Sequence, residues 1–469
     1  EPARDRGRNP NGGLGVNSYR VSQTRSRGWR PGAVALVIAF LAGACGATAS
    51  PSPANTPAGG TTASASASAA AGGGITMTMW GRSVDQKVYE AVVAEWNKTH
   101  ANQIKLTLIP PAEYIAKVTA AAAGGQLPDL LDVDLIYMPD FINQGLLQPI
   151  TEKVNGYAHK ADLSPGHVQV STSDDGKIYG VPFYVDASSL FWNKDLYRKA
   201  GLDPEKPPTT WAEVLDHAKK IRALGSDTYG FYFAGGGAGP NAYTYLPQIW
   251  AAGGDVIDYT AHKAIMGTNP IVKEAFQYYR DLYKAGVMPE AVKAEDGTNW
   301  PVTFATGKIG IQPLGGGWGI RIVKEKNPSM NFGVTYLPGK ESGQKASFAG
   351  GDTIAVTTKA KDVNAAWEFI EWSLSDNVQL EFYAKNGAFT SRTDLASNKY
   401  SDADPRYVLN NQALKQGQTP RTLGYNEIFN DVNGPWLAAI RKAVFDGDVN
   451  GAVSTGNDAI QAILDTHYK

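Results

Sequence analysis

The sequence predicts an α/β fold arranged as two lobes. Three observations carry it. Strand-like and helix-like segments alternate along the chain, residues 75–469 are long enough for two cores at roughly 150 residues per domain, and a sharp change of composition at residue 75 marks where globular sequence begins.

Ile75-Thr-Met-Thr-Met-Trp80 alternates as a strand does, and Gly81 is expected to break it. From Gln86 to His100 the residues Val88, Val92 and Trp96 recur at helical spacing. Ile104-Lys-Leu-Thr-Leu-Ile109 returns to period two and ends at Pro110-Pro111, an alanine-rich helix stops at Gly124-Gly125, and Leu130-Leu-Asp-Val133 reads as a third strand. Strand, helix, strand, helix, strand predicts a largely parallel sheet. Thr210-Trp-Ala-Glu213 has capping-box spacing and marks a helix start. Asn364 to Lys385 predicts another helix, with Trp367, Ile370 and Leu374 on one stripe and Gly387 placed to end it.

Ahead of the globular part, Arg20, Arg25, Arg27 and Arg30 precede the apolar run Ala33–Leu41, which leads into Ala42-Gly43-Ala44-Cys45. A basic region, a short apolar stretch and small residues before a cut form a secretory signal, and the stretch is shorter than the ~20 residues a membrane span needs. We expect residues 1–44 to be removed. Gly46 to Gly74 holds only Ala, Ser, Thr, Pro, Gly and one Asn, too little apolar surface to order itself, so residues 45–74 read as a tether with a reach of roughly 30 Å.

The whole chain has 44 Lys+Arg and 45 Asp+Glu. Residues 1–44 hold seven arginines and two acids, leaving 37 basic and 43 acidic side chains beyond them. This mild acidity lacks the basic footprint of a nucleic-acid binder. The single cysteine excludes an internal disulfide and a four-cysteine zinc site.

Templates for catalysis are missing. The six histidines, at 100, 159, 167, 217, 262 and 467, are scattered, and no Gly-x-Ser-x-Gly elbow, phosphate loop or dinucleotide glycine motif is found. We therefore expect no cofactor, no metal and no enzymatic activity. Asp446-Gly-Asp448-Val-Asn450-Gly451 matches half a calcium loop, but Asn457 stands where the closing Glu belongs, so the segment reads as a turn before the last helix.

What the sequence offers instead is aromatic side chains at breaks in the fold. Trp80 ends the first strand, Trp300 lies in Gly297-Thr-Asn-Trp-Pro301, Trp318 follows Gly315-Gly-Gly317, and Tyr184 and Trp192 flank Asp186. Such positions face either a crevice beyond the strand ends or the packing between lobes. Flat aromatic faces ringed by carboxylates, amides and arginine suit a sugar, which presents apolar C–H faces and an equator of hydroxyls.

An ordered set of motifs then carries a resemblance. It includes Thr78-Met-Trp80-Gly81, the Ala-Gly-Gly-Gln-Leu-Pro-Asp segment ending at Asp129, Asp175-Gly-Lys-Ile-Tyr-Gly-Val-Pro182, Leu190-Phe-Trp-Asn-Lys-Asp-Leu196, Pro208-Thr-Thr-Trp211, Gly316-Gly-Trp318-Gly, Ala349-Gly-Gly351 and Ala366-Trp-Glu-Phe-Ile370. From about Ile75 to the C-terminus the chain resembles the extracytoplasmic solute-binding proteins of ABC importers, in the sugar-binding group that includes maltose-binding protein. Ala42-Gly43-Ala44-Cys45 resembles a lipobox, with Cys45 as the lipidated residue and Ala42 where leucine is commoner.

The resemblance implies a periplasmic-binding-protein-like fold with hinge crossings and an interlobe ligand cleft. Lobe one would comprise 75–185 and about 353–391, and lobe two 186–352 and about 392–469. It places Trp80, Arg82 and Asp85 at the cleft edge, Asp134 and Tyr137 at the next strand end, and Asp186 where the maltose binder has Glu. It adds Asn241 and Tyr243 as polar and aromatic contacts, Trp318 as the stacking platform, Gly351 and Asp352 at a crossing, and Arg392, Tyr425 and the Trp436 segment. Trp300 joins them as a crevice-facing aromatic. The implied protein is an extracytoplasmic monomer, lipid-anchored to the outer face of a bacterial cell membrane. It would carry a small-molecule carbohydrate, an oligosaccharide, to the ABC permease membrane subunits. The alternatives are a non-sugar solute, against whose cationic forms Arg82 and Arg392 weigh, and a secreted carbohydrate-active enzyme.

Overall fold

A computed structural model describes residues 73–469. The leader, the apolar run, Cys45 and all but the last two tether residues lie outside the described residues. No helix among the described residues is long and apolar enough to cross a membrane.

Strand β1 (Thr76–Arg82) is followed by helix α1 (Gln86–Thr99), β2 (Gln103–Ile109), helix α2 (Pro111–Ala123) and β3 (Leu130–Asp134). Gly81 does not break β1, contrary to expectation. The strand runs on to Arg82, with Gly81 opposite Leu108 and Arg82 opposite Ile109 in a parallel ladder. A side chain at 81 would press on Asp132 and Leu108, so the glycine marks a close approach rather than a chain break.

The long strand β4 (Gly180–Asn193), buried throughout, joins the two halves. Helix α3 (Trp211–Arg222), β5 (Tyr229–Phe231), helix α4 (Ala238–Thr244), β6 (Ile309–Gly315), helix α5 (Gly317–Lys326), β7 (Phe332–Thr335), β8 (Ala349–Val356), helix α6 (Val363–Ser373) and helix α7 (Val449–His467) follow. Eight strands form one sheet in the order β2-β1-β3-β8-β4-β6-β5, with β7 also on β4. Only β1–β2, β1–β3 and β5–β6 pair in parallel. The expected largely parallel sheet is corrected by β8, which returns between β3 and β4 antiparallel to both. That return is a long-range connection invisible to local periodicity.

Pairing along β4 changes partner midway. Gly180–Ala187 lie against β8, whereas Ser188–Trp192 lie against β6 and Leu190–Asn193 against β7. The apolar cores divide likewise. One gathers Met77, Trp96, Val181, Ile354 and Phe369, and the larger gathers Leu190, Phe231, Ile311, Trp436 and Leu464. A small separate cluster holds Val185 and Ala187 of β4, at its change of partner, with Ala349, Phe389 and Leu414.

Thr210 caps α3 as its spacing predicts, its hydroxyl accepting from the Glu213 N–H at 3.1 Å, while the Glu213 carboxylate takes the Thr209 N–H at 2.6 Å. Helix α6 ends at Ser373, short of the expected Lys385, and three short helical turns carry the chain on to Gly387. Gly387 has φ of 78° and closes them in the left-handed region. Asp448 caps α7 by accepting from the Gly451 N–H at 2.8 Å, and Asn457 accepts from the Gly267 N–H at 3.1 Å. The half calcium motif, expected as a turn ahead of the helix, instead runs into it: Asp448 is the cap and residues 449–451 form the first turn.

Candidate ligand-binding site

A cavity of about 500 Å³ opens where the carboxyl ends of β1 and β3 face β4, α4 and α5, the position at which open α/β sheets receive ligands. Of the expected site residues, Arg82, Asp134, Tyr184, Asp186, Tyr243, Trp318, Gly351 and Tyr425 line it.

Arg82 ends β1 and is buried among carboxylates. Its Nη1 lies 2.8 Å from Asp134, and its Nη2 donates to Asp352, whose other oxygen accepts from the Tyr89 hydroxyl at 2.9 Å. Asp132 accepts the Arg82 backbone N–H at 3.2 Å. Asp352 is therefore a buried support behind Arg82 rather than a cavity wall. A register shift between Asp352 and Thr353 turns it toward Arg82, and Gly351, with φ of +112°, allows the bend because any Cβ there would strike the Tyr184 carbonyl. Burial pushes Asp134 up to about 6, against the pull of Arg82 and with repulsion from Asp352 assisting. Burial and the Asp352 charge also raise Asp132 well above the carboxylate range.

Asp186 lies on β4 at the change of partner. Its carboxylate accepts from the Gly317 N–H at 2.8 Å and from the Tyr243 hydroxyl at 3.0 Å. An anion at the N-terminus of α5 is favourable to that helix, which ends in Lys324 and Lys326. The glycine run before α5 has a spatial cause. A Cβ on Gly315 would fall 2.0 Å from the Trp318 indole nitrogen, and one on Gly316 would strike Asn410; on β8, a Cβ on Gly350 would fall 2.6 Å from the Tyr243 ring. Trp318 is half-buried and backed by Trp300, ring centroids 6.3 Å apart.

Burial pushes Asp186 up to about 6, offset by Gly317, Tyr243 and weakly by Arg321. Tyr184 and Tyr407 also face its charge. A raised carboxyl holds a proton in the folded state that the unfolded chain releases, so stability falls as pH rises from about 4 through about 6 and the loss is complete above that. The full shift corresponds to at most about 3 kcal/mol, less about 1 kcal/mol for a lost hydrogen bond. Asp186→Asn should therefore melt higher than the parent at pH 7.5, by about 1–2 kcal/mol, with no advantage at pH 4. Thermal melts at the two pH values check this.

The remaining expected residues lie elsewhere. Trp80 sits two residues before the end of β1 and packs against the cluster holding Tyr114 and Leu131, so its ring is spent on covering the sheet. Asp85 lies beside the cavity, and its carboxylate pairs with Arg321 of α5 at 2.9 Å. The Tyr137 hydroxyl donates to Asn426 at 3.2 Å and does not line the cavity. Asn241 is buried, its amide donating to the carbonyls of Ala234 at 2.7 Å and Gly237 at 2.8 Å, and so braces the turn that opens α4. Trp300 is a core side chain supporting Trp318, and Trp436 is core outright. Trp192 donates its indole N–H to the Pro204 carbonyl at 3.0 Å, far along β4 from Asp186.

Arg392 is corrected most clearly. Its buried guanidinium donates to Asp376 at 2.6 Å, to the Leu374 carbonyl at 3.2 Å, to Asp394 and to His159 Nδ1 at 2.9 Å. His159, Asp162 and Asp394 bring ligand atoms within 4.8 Å of one another, and this guanidinium supplies positive charge there.

Sequence reasoning passed over Arg321, Phe348 and Asn430, which line the cavity together with Tyr184 and Tyr425. Arg321 follows Trp318 by three residues and so shares its helix face. Tyr184 precedes Asp186 by two on one strand face. Phe348 and Asn430 carry no local signal.

The described fold and cleft agree with comparison to known proteins. The family described as bacterial extracellular solute-binding protein matches residues 80–380, and the chain belongs to that family. A Brucella abortus protein described as a binding protein is 26% identical over 315 residues, spanning 66% of this chain and 72% of the relative. The sn-glycerol-3-phosphate-binding periplasmic protein of Brucella melitensis is 28% identical over 261 residues, spanning 52% and 57%. Among solved structures, the sugar-binding protein MalE from Xanthomonas citri superposes with a TM-score of 0.74 at 24% identity, covering 84% of this chain and 98% of that one. The cyclic alpha-maltosyl-1,6-maltose binding protein from Arthrobacter globiformis gives 0.72 at 24% identity, covering 84% and 100%. The fold is thus the two-lobed α/β architecture of periplasmic binding proteins.

Proposed function

We propose that this chain is an extracytoplasmic receptor that holds an oligosaccharide between its lobes and delivers it, chemically unchanged, to the membrane subunits of an ABC importer. The observation that carries the reading is the cavity itself, where the Trp318 indole and the rings of Tyr184 and Tyr243 meet the carboxylates of Asp134 and Asp186. Aromatic faces take the apolar side of a pyranose, and the carboxylates take its hydroxyl hydrogens. The superposed proteins of Xanthomonas citri and Arthrobacter globiformis, named for sugars, support the same ligand class.

The lobes in this reading are 75–185 with about 353–391 and 186–352 with about 392–469. The change of partner along β4 and the division of the cores support that boundary. The leader and Cys45 support a lipid anchor followed by a tether. Calorimetry against a saccharide panel, with analysis of the ligand afterwards for cleavage, tests binding and the absence of catalysis together. No heat from any saccharide would overturn the reading, and cleavage products would point to an enzyme.

Closure gives a further expected result. Asp85 and Arg321 belong to opposite lobes in this assignment, so their ion pair holds the cleft shut. A partly exposed pair contributes about 0.5–1 kcal/mol. Arg321→Ala should weaken ligand binding roughly two- to fivefold and enlarge the ligand-free radius of gyration in solution scattering. Unchanged affinity and scattering would show that the pair does not act as a latch.

A further inference from the structure

The charges around the cavity are unbalanced, and the imbalance bears on the ligand. Four carboxylates lie in or against it, those of Asp85, Asp134, Asp186 and Asp352, beside a fifth acid, Asp132, whose burial favours the protonated form, with two guanidinium groups, those of Arg82 and Arg321. Both arginines are occupied. Arg82 is held by Asp134 and Asp352, and Arg321 by Asp85. The Nε of Arg82 is buried without a partner, as is one oxygen of Asp132, so neither faces an incoming group. Asp186 has only neutral hydrogen-bond donors, the Gly317 N–H and the Tyr243 hydroxyl.

Sequence alone set Arg82 and Arg392 against a cationic ligand. Arg392 lies in a separate network with Asp376 and Asp394, and Arg82 is neutralised, so that objection is removed. An anion entering the cavity would have to take Arg82 from its carboxylates. A cation would meet Asp186 directly, between rings of Tyr184, Tyr243 and Trp318 whose faces attract positive charge.

We propose that the ligand is a saccharide bearing a basic nitrogen, bound through its ammonium group to Asp186, and that phosphorylated and carboxylated sugars are rejected. This rests on the carbohydrate reading of the cleft and deepens it. It also separates this chain from its glycerol-phosphate-binding relative, whose named ligand is an anion.

The test is calorimetry at pH 7 on residues 75–469 and on the full chain. The probes are glucosamine oligomers, their N-acetylated counterparts and maltodextrins of equal length, with glucuronate oligomers, sn-glycerol 3-phosphate and spermidine as the charged controls. The expected result is at least tenfold tighter binding of the free amine than of the N-acetylated or neutral oligomer, with no detectable binding of the two anions. In Asp186→Asn the ratio of amine to neutral affinity should fall at least fivefold. Asp134→Asn provides a second variant in case the first does not fold, and it should lower the same ratio. Equal or tighter binding of the neutral oligomers overturns this inference and leaves the carbohydrate reading standing. Binding of an anion overturns it too, and tighter binding of spermidine than of every saccharide overturns the saccharide half. If nothing on the panel binds, the carbohydrate reading itself fails.

Discussion

Arg82→Met should lower the free energy of unfolding by about 3–5 kcal/mol at pH 7.5, the largest stability effect expected of any single change near the cleft. The guanidinium touches Asp134 and Asp352 and stands close to Asp132, on the neighbouring strands β3 and β8. Removing it leaves three carboxylates in a buried site with no counter-charge, and a methionine of similar length supplies only packing. The loss should depend on pH in a defined direction. Arg82 pulls down the already raised Asp132 and Asp134, so without it the folded state must hold protons on these two acids, whereas the unfolded chain releases them above about pH 4, and stability falls as pH rises. Urea titrations should therefore show the deficit narrowing as pH is lowered from 7.5 to 5. Adding Asp352→Asn to the variant should return part of the loss, since the two groups are in direct contact and do not act independently. A deficit below about 1 kcal/mol that is flat with pH would mean the cluster is hydrated and contributes little.

How much of this was legible beforehand follows from the range of the forces involved. Short-range patterns served well. The alternation in 75–80, the stripe of Val88, Val92 and Trp96, and the Thr210 cap are read from neighbours a few residues apart, and each element exists. Failures cluster where distant contacts decide. Gly81 stays in its strand because β2 pairs with it, and β8 inserts between β3 and β4 from more than 150 residues away. The same division holds within the site. Trp318 and Asp186 sit at a glycine turn and within a long apolar strand, features that mark them locally. Arg392 and Asn241 have the side-chain chemistry of sugar ligands but spend it on carboxylates and backbone carbonyls that only the folded chain brings within reach.

Trp318→Ala should weaken ligand binding about 30- to 100-fold, or about 2–3 kcal/mol, while changing stability by less than about 1 kcal/mol. The two halves of that expectation have separate causes. The indole is half-buried at the start of α5, and its deletion removes little core. Its position nevertheless is held from several sides, by Gly315, which leaves room for the ring, by Trp300 behind it at 6.3 Å, and by the α5 start that Asp186 anchors through the Gly317 N–H. A platform fixed in advance loses little rotamer freedom when a sugar stacks on it, which is why so large a share of the binding free energy resides in one side chain. Trp318→Phe, which keeps a smaller flat face, should recover most of the affinity to within about tenfold of the parent. Trp300→Ala should weaken both affinity and stability, because it removes buried ring area as well as the support behind the platform. Calorimetry and thermal melts on the three variants distinguish these outcomes. Parent-like affinity in Trp318→Ala would remove the indole from the binding surface and move the search for the platform to Tyr184 and Tyr243 across the same cavity.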